Sequence, residues 1–163
     1  MKIDLMNLGA SAFWSDLGKI LLSYLLTLPI GWQREKEEHT VGIRTFPLVA
    51  MASCGYLLLV HTHAAADSAA ESRVLQGLIT GIGFVGAGAI LKEGATVRGT
   101  ATSASVWNTG VLGAAVALGR YEIAIILSAL NLFTLRALLP LKLRLDEKAT
   151  RKKELRDDSE RRL

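Results

Sequence analysis

Six charged side chains that could form one polar site stand in two short stretches of an otherwise apolar chain. The first stretch supplies Arg34, Glu35 and Arg44, and the second supplies Lys92, Glu93 and Arg98. Guanidinium and ammonium groups pair strongly with carboxylates, and they are the usual protein groups that recognise anions. We therefore predict a functional cluster where the two stretches meet.

A row of mostly uncharged polar side chains begins at the end of the second stretch. It consists of Arg98, Thr102, Ser105 and Thr109, with Asn108 at its edge. The spacing i, i+4, i+7 and i+11 places the row on one stripe of a helix. Two interpretations stay open. The stripe could make interhelical hydrogen bonds, worth about 0.6 kcal/mol each, or it could line a polar path or pocket, with Arg98 and free helix N–H groups holding an anion at its start.

The chain shows no arrangement typical of an enzyme or of a metal centre. No nucleophile stands beside a general base, and no helical zinc-binding motif is present. His61 and His63 have no third ligand nearby, and Cys54, the only cysteine, lies in an apolar run. We expect a non-enzymatic protein without a cofactor or resident metal, for which Mg²⁺ remains open as a ligand or substrate.

The elements that must position these residues are long apolar segments. Half of the 163 residues are hydrophobic, and the charged 21% gather at 34–44, at 92–98 and after Pro140. A helix needs about 20 residues to cross a bilayer. The segments close to that length are 13–32, 45–62, 74–91, 101–119 and 121–139. The predicted fold is all-α, a polytopic membrane bundle of five transmembrane helices in a domain 1–145, followed by a charged cytoplasmic tail, 146–163.

The distribution of positive charge predicts the orientation of this bundle. With five spans, one side collects most of the lysines and arginines, whereas the other side holds only Lys2, Arg73 and Arg120. Basic residues are retained on the cytoplasmic side of a membrane. We therefore predict an outside N-terminus and a cytoplasmic C-terminus. The lipid bilayer is the expected partner of the apolar segments, and the basic charge indicates orientation rather than nucleic-acid binding.

The third segment is rich in glycines that suit close packing of helices. These are Gly77, Gly81, Gly83, Gly86 and Gly88. Small residues let two backbones approach closely in lipid, where no hydrophobic effect drives helices together. The spacing predicts helix packing along this face, including self-association into a homo-oligomer.

Three motifs, in order and correctly spaced, resemble the MgtC/SapB family of bacterial inner-membrane proteins. The family's G-x-E-R-E and A-G-L-R-T correspond to Gly31–Glu35 and Val41–Thr45. Its G-I-G-F-L-G-A-G corresponds to Gly81–Gly88, and its V-R-G-L-T-T-A-A-S-L-W to Val97–Trp107. Gln33 departs from the pattern, since the family usually has glutamate there. The expected form is the short one, without the soluble C-terminal domain of longer members.

The resemblance implies a multi-pass protein of the inner membrane that supports growth under magnesium limitation or acid stress. It favours a regulator that binds other membrane proteins, such as an ion-pumping ATPase or a sensor kinase. The alternative is a transporter or channel for magnesium or another cation, using the polar stripe of the fourth segment. A hard cation prefers carboxylate oxygens, and Asp16 and Glu122 stand near the outer ends of their segments, so the regulator is the preferred prediction.

Overall fold

The computed structural model describes residues 3–38, 41–63, 68–94, 96–141, 143–145, 148 and 151. Within them the chain forms five helices, in the predicted order, and one β-hairpin. The elements are α1 (Ile3–Glu38), α2 (Thr45–His63), α3 (Ser68–Ala87), β1 (Leu91–Glu93), β2 (Thr96–Arg98), α4 (Thr100–Ala117) and α5 (Tyr121–Ala137). The prediction of an all-α protein is confirmed. The predicted tail 146–163 lies almost entirely outside the described residues.

The first helix is much longer than the predicted segment 13–32. It runs from Ile3 to Glu38, a length of 36 residues, with Pro29 inside it. At its end the helix continues through residues 33–38, which the sequence analysis places in a connecting loop. These residues are mostly Glu, Gln, Lys and Arg, which have high helix propensity. The charged stretch therefore extends the helix by about a turn and a half, and Arg34 and Glu35 belong to a helix rather than to a loop.

The third helix begins and ends earlier than the predicted segment 74–91. It ends at Ala87, and an antiparallel hairpin follows with Lys92 opposite Val97. Gly94 closes the hairpin with a φ of 61°, and Gly99 joins it to α4 with a φ of 82°. Both values lie in the left-handed region that glycine adopts without steric cost. The hairpin therefore replaces the simple charged turn that the sequence suggested.

The fourth helix lies at the centre of the bundle and contacts each of the other four helices. Two of its glycines permit this position. A Cβ on Gly113 would lie 3.0 Å from the carbonyl carbon of Ala50 in α2, and a Cβ on Gly110 would overlap the side chain of Ile82 in α3. Leu112 and Val116 of the same helix are fully buried. The core therefore depends on small residues at two positions of α4.

Hydrogen bonds to main-chain carbonyls tie α1 to the later helices. Lys19 Nζ donates to the carbonyl oxygen of Ala117, in the last turn of α4, at 3.1 Å. A cation at that position interacts favourably with the helix dipole. Ser128 Oγ in α5 donates to the carbonyl oxygen of Leu26 at 2.6 Å. We call the end of the bundle that holds β1 and β2 the hairpin end, and the opposite end, where α4 turns into α5 at Gly119, the Gly119 end.

One apolar helical stretch of the described chain, Tyr121–Leu145, is long and apolar enough to cross a membrane by length and composition. Thr45–Val60 is a shorter apolar helix. In the apolar window of Tyr121–Leu145, 11% of the residues are buried against the rest of the protein. This helix therefore turns most of its apolar surface outward.

We expect Gly113→Ala to destabilise the bundle and Gly55→Ala to leave its stability equal or higher. The alanine methyl group at position 113 would press on the backbone of Ala50, and overpacking of this kind costs about 1–3 kcal/mol. A Cβ at Gly55 meets nothing within 4 Å, so alanine there gains helix propensity. Unfolding in mixed micelles, followed by tryptophan fluorescence, measures both variants. Equal stabilities would contradict the close contact between α2 and α4.

Candidate functional site

A buried arginine joins α1 to α4 at the hairpin end. Arg34 is 3% exposed, and its Nη1 donates to Thr102 Oγ1 at 3.2 Å. Thr102 stands in the first turn of α4 and is fully buried. A guanidinium cannot be deprotonated in a protein, and burying its charge is costly unless it finds hydrogen-bond acceptors. The contact therefore fixes the end of α1 against the start of α4.

Glu35, the next residue, joins the same end of α1 to the segment before α2. Its Oε2 accepts a hydrogen bond from the backbone N–H of Ile43 at 3.0 Å. Two glycines make room for this contact. A Cβ on Gly42 would overlap the Glu35 carboxylate, and a Cβ on Gly31 would lie 2.9 Å from the Cα of Ile43. A carboxylate in front of a helix N-terminus is favourable, because the helix dipole places partial positive charge there.

The other charged residues of the predicted cluster lie further from this contact. Arg44, Lys92 and Arg98 are exposed and form no ion pair with any side chain that the structure describes. Lys92 pairs with Val97 and Arg98 pairs with Leu91, so the two cations lie on opposite faces of the hairpin. Glu93 lies in β1 opposite Thr96, and its side chain lies outside the described part of the structure. Arg34 and Glu35 are thus placed together, while the exposed cations surround them.

The polar stripe divides between several neighbours. Arg98 does not belong to it, because α4 begins at Thr100 and Arg98 lies in β2. Thr102 faces Arg34, and Thr109 Oγ1 donates to the carbonyl oxygen of Ser105 in its own helix at 2.8 Å.

Ser105 and Asn108 of the stripe turn instead toward α5. Ser105 Oγ donates to Asn131 Oδ1 at 3.0 Å, and Asn108 Nδ2 donates to the carbonyl oxygen of Leu127 at 3.4 Å. Together with Asn131, they line a groove of about 280 Å³ between α4 and α5. We call it the α4–α5 groove. The stripe therefore supplies interhelical hydrogen bonds along α4, and it also places polar groups beside one groove.

The five glycines predicted to pack along the third segment fall into two groups, and the last of them, Gly88, lies just beyond the end of α3 at Ala87. A Cβ on Gly86 would lie 3.1 Å from Ser103 Oγ in α4, and a Cβ on Gly88 would lie 3.3 Å from the carbonyl oxygen of Val85. At Gly77, Gly81 and Gly83 an added Cβ meets no described atom within 4 Å. The first group makes close contacts within the chain, whereas the second group is open to the surroundings.

Gly77 and Gly81 line a groove of about 570 Å³ between α2 and α3. We call it the α2–α3 groove. Its wall on the side of α2 includes Ser53 and Tyr56, and Arg73 stands among the lining residues nearer the start of α3. Gly83 does not line it. The groove is therefore an open, mainly apolar surface with a floor of small residues.

Sequence reasoning missed several contacts that shape these sites. Arg136 Nε donates to Gln33 Oε1 at 3.2 Å, so Gln33, the residue that departs from the family pattern, joins α1 to α5. Neither Gly110 nor Gly113 was singled out, although both stand among the small residues of the fourth segment. Their spacing of three could have indicated a packing face, but not the neighbouring helix.

The described residues thus define a small all-α bundle whose polar side chains are shared between helices. The chain belongs to the MgtC family, since the family model matches residues 20–144. The resemblance stated from the three motifs is confirmed. No solved structure matches the chain.

Three relatives show how far the similarity extends. The protein SrpB of Synechococcus elongatus is 35% identical over 136 residues, which cover 75% of this chain and 74% of SrpB. The protein MgtC of Salmonella typhimurium is 35% identical over 106 residues, or 65% of this chain and 45% of MgtC. The "Putative magnesium transporter YhiD" of Escherichia coli K12 is 30% identical over 137 residues, or 80% of this chain and 63% of YhiD.

The chain spans less than half of the Salmonella relative and less than two thirds of YhiD. Membership of the MgtC family supports a location in the membrane, and among these relatives the name of YhiD refers to magnesium.

We expect the contact between Arg34 and Thr102 to contribute strongly to stability. Arg34→Met and Thr102→Val should each destabilise the bundle, and the double variant should lose less than the sum. Hydrogen bonds to charged groups contribute about 1.5–3 kcal/mol, so we expect a coupling energy of that order. The measurement is a double-mutant cycle of unfolding in mixed micelles. Lys92→Met, at an exposed position, is the control and should change stability by about 0.5 kcal/mol or less. A coupling energy of zero would show that the contact is incidental.

Proposed function

We propose that this chain is a non-enzymatic regulator of the bacterial inner membrane that binds another membrane protein, such as an ion-pumping ATPase or a sensor kinase. Its role would be in growth under magnesium limitation or acid stress, as the family resemblance implies. The observation that carries the proposal is the α2–α3 groove, where Gly77 and Gly81 leave space that no described residue of this chain fills.

The groove has the properties of a surface that accepts a transmembrane helix. Gly77 and Gly81 stand four residues apart, which places them on one face of α3, and small residues at this spacing let a second helix approach closely. Tyr56 on the opposite wall is exposed and offers its hydroxyl group to a partner.

A second candidate function is transport of magnesium or another cation along the polar side of α4. It is favoured by the name of YhiD, which describes a magnesium transporter. The stripe offers hydroxyl and amide groups, and most of these already make hydrogen bonds within the chain. Magnesium prefers carboxylate and water oxygens in octahedral geometry. This preference supports the regulator over the transporter.

The proposal includes five membrane spans and places the hairpin end in the cytoplasm. That end holds the exposed cations Lys36, Arg44, Lys92, Arg98 and Arg136. The Gly119 end holds fewer cations: the half-buried Lys19, Arg73 near the start of α3, and Arg120, which pairs with Glu122. This distribution supports an outside N-terminus, because basic residues are retained on the cytoplasmic side.

We expect Gly81→Leu to abolish regulatory function while Gly83→Leu preserves it. Both glycines are exposed residues of α3 with no described atom within 4 Å of an added Cβ, but only Gly81 lines the groove. The leucine side chain at position 81 would occupy the part of the α2–α3 groove that we assign to the partner helix. Growth of a deletion strain in low magnesium, complemented by each variant, is the measurement. Membrane levels and melting temperatures serve as controls. Equal growth with both variants would contradict binding at this groove.

We expect proteoliposomes that contain only this protein to take up Mg²⁺ no faster than empty liposomes. A regulator that acts through a partner protein is not expected to conduct ions by itself, whereas a transporter should carry them without a partner. A fluorescent magnesium indicator trapped inside the vesicles reports the uptake. Saturable flux that disappears in a variant of the stripe, such as Ser105→Ala, would establish the transporter instead.

A further inference from the structure

The side chains of the β1–β2 hairpin are not covered by the helices. Leu91, Lys92, Val97 and Arg98 are all exposed. Of the two apolar residues, Leu91 is 45% exposed and Val97 is 53% exposed. A two-stranded hairpin without a packed face is at best marginally stable in water. The surroundings of the protein must therefore cover this hairpin.

The strand register gives the two faces of the hairpin the same composition. Lys92 lies opposite Val97, and Leu91 lies opposite Arg98, so each face pairs one cation with one apolar side chain. Neither cation forms an ion pair with a side chain in the described ranges. Lysine or arginine beside apolar residues is the composition of elements that lie in the interface of a membrane. Both faces of the hairpin therefore suit a layer that offers phosphate groups and acyl chains together.

Two exposed tryptophans of α1 mark the levels at which such a layer would begin. Trp32 is 55% exposed at the hairpin end, and Lys36 Nζ lies 5.4 Å from the centroid of its ring. Trp14, 66% exposed, stands 18 residues earlier in the same helix, which corresponds to about 27 Å. The hydrocarbon core of a bilayer is about 30 Å thick, and tryptophan is enriched at both of its surfaces. The spacing supports one bilayer surface near each tryptophan.

The hairpin lies just beyond the level of Trp32. Arg34, two residues after Trp32, donates to Thr102 in the first turn of α4. The hairpin ends at Arg98, four residues before Thr102. It therefore stands next to the hydrocarbon boundary, at the depth of the lipid headgroups.

We propose that the β1–β2 hairpin is a membrane-surface anchor that binds the headgroups of anionic phospholipids. Lys92 and Arg98 contact the phosphates, and Leu91 and Val97 reach the boundary with the acyl chains. Cations near a negatively charged membrane surface each favour binding by about fivefold. A protein partner would instead have to offer carboxylates and apolar groups to both faces of a hairpin that lies beside lipid. The inference rests on the five-span topology of the proposed function but not on the regulatory role.

The turn at the opposite end of the bundle provides a contrast. Arg120 Nε lies 2.6 Å from Glu122 Oε1, so the charge of this exposed arginine is already neutralised within the chain. An ion pair of this kind leaves little net charge for a lipid phosphate. The preference for anionic lipid should therefore reside in the hairpin end.

A fluorophore that reports the polarity around it tests where the hairpin lies. In the full chain with Cys54 replaced by alanine, the fluorophore is attached at Leu91→Cys or at Val97→Cys. The protein is placed in phosphatidylcholine vesicles with or without phosphatidylglycerol. Both labels should show blue-shifted emission, and quenching by a lipid-borne quencher, mainly in vesicles that contain phosphatidylglycerol.

A label at Leu130→Cys separates failure of this inference from failure of the topology. Leu130 is 56% exposed in the apolar stretch Tyr121–Leu145 and should be in lipid in both kinds of vesicle. If it is, hairpin labels that remain in water overturn the anchor alone, as a protein partner would require. Hairpin labels that enter lipid equally without phosphatidylglycerol overturn the binding of anionic headgroups. A Leu130 label in water overturns the topology and the anchor together.

Charge variants of Lys92 test the headgroup contact itself. In the Val97→Cys background with phosphatidylglycerol, Lys92→Gln should lower the ratio of lipid-exposed to water-exposed label about fivefold. Lys92→Arg keeps the charge and should keep the ratio, and Arg120→Gln at the opposite end should also leave it unchanged. High salt should reduce the difference between Lys92→Gln and the parent, since it screens exposed charges. An unchanged ratio in Lys92→Gln, or an equal loss in Lys92→Arg, would contradict the proposal.

Discussion

The central position of α4 depends on the close approach of neighbouring helices to its glycines, where no side chain would fit. The helix contacts all four others, and it can do so because Gly113 admits the backbone of α2 and Gly110 admits the side chain of Ile82. In lipid, van der Waals packing of this kind replaces the hydrophobic effect as the main source of helix association. The hydrogen bonds from α4 to α1 and α5 can form only because this packing holds the helices close together. The small residues therefore determine which polar side chains lie within hydrogen-bond distance of each other.

Buried and half-buried polar groups give the bundle its specific arrangement. Arg34 is enclosed at the hairpin end, Ser105 and Asn131 meet inside, and Lys19 reaches the last turn of α4 at the other end. Each of these groups would be costly to bury without a partner. A shift of one helix along another by a single turn would separate several of them at once. The polar contacts thus select one register among the many that apolar surfaces alone would allow.

The sequence predicted the type and order of the secondary-structure elements and the family. It said less about which helices pack against each other. Runs of apolar residues separated by charged stretches predicted five helices, and three motifs predicted the MgtC family; both agree with the findings. The hairpin was missed because three-residue strands leave too short a pattern to recognise. Periodicity also could not separate Gly86, which packs inside, from Gly81, which faces outward. It assigns a residue to a face, but it does not say which helix that face meets.

The membrane topology illustrates the same limit. The number of spans and their orientation come from hydropathy and charge, and they stay predictions, since only Tyr121–Leu145 among the described helices is long and apolar enough by composition. The predicted cluster of six charges is likewise brought together in part. Arg34 and Glu35 are fixed by α4 and by the segment before α2, whereas the cations of the hairpin depend on a strand register that the sequence does not reveal.

The turn at Gly119 has a consequence for the way the protein is made. Only three residues separate α4 from α5, and the stripe of α4 carries hydroxyl and amide groups to which lipid chains offer no hydrogen bond. Its neighbour α5 is apolar and follows immediately, with Ser105 and Asn108 already facing it. The two helices therefore form one antiparallel unit, in which the later helix covers polar side chains of the earlier one. In the proposed five-span topology, these polar groups of α4 therefore find their hydrogen-bond partners only after α5 has been synthesised.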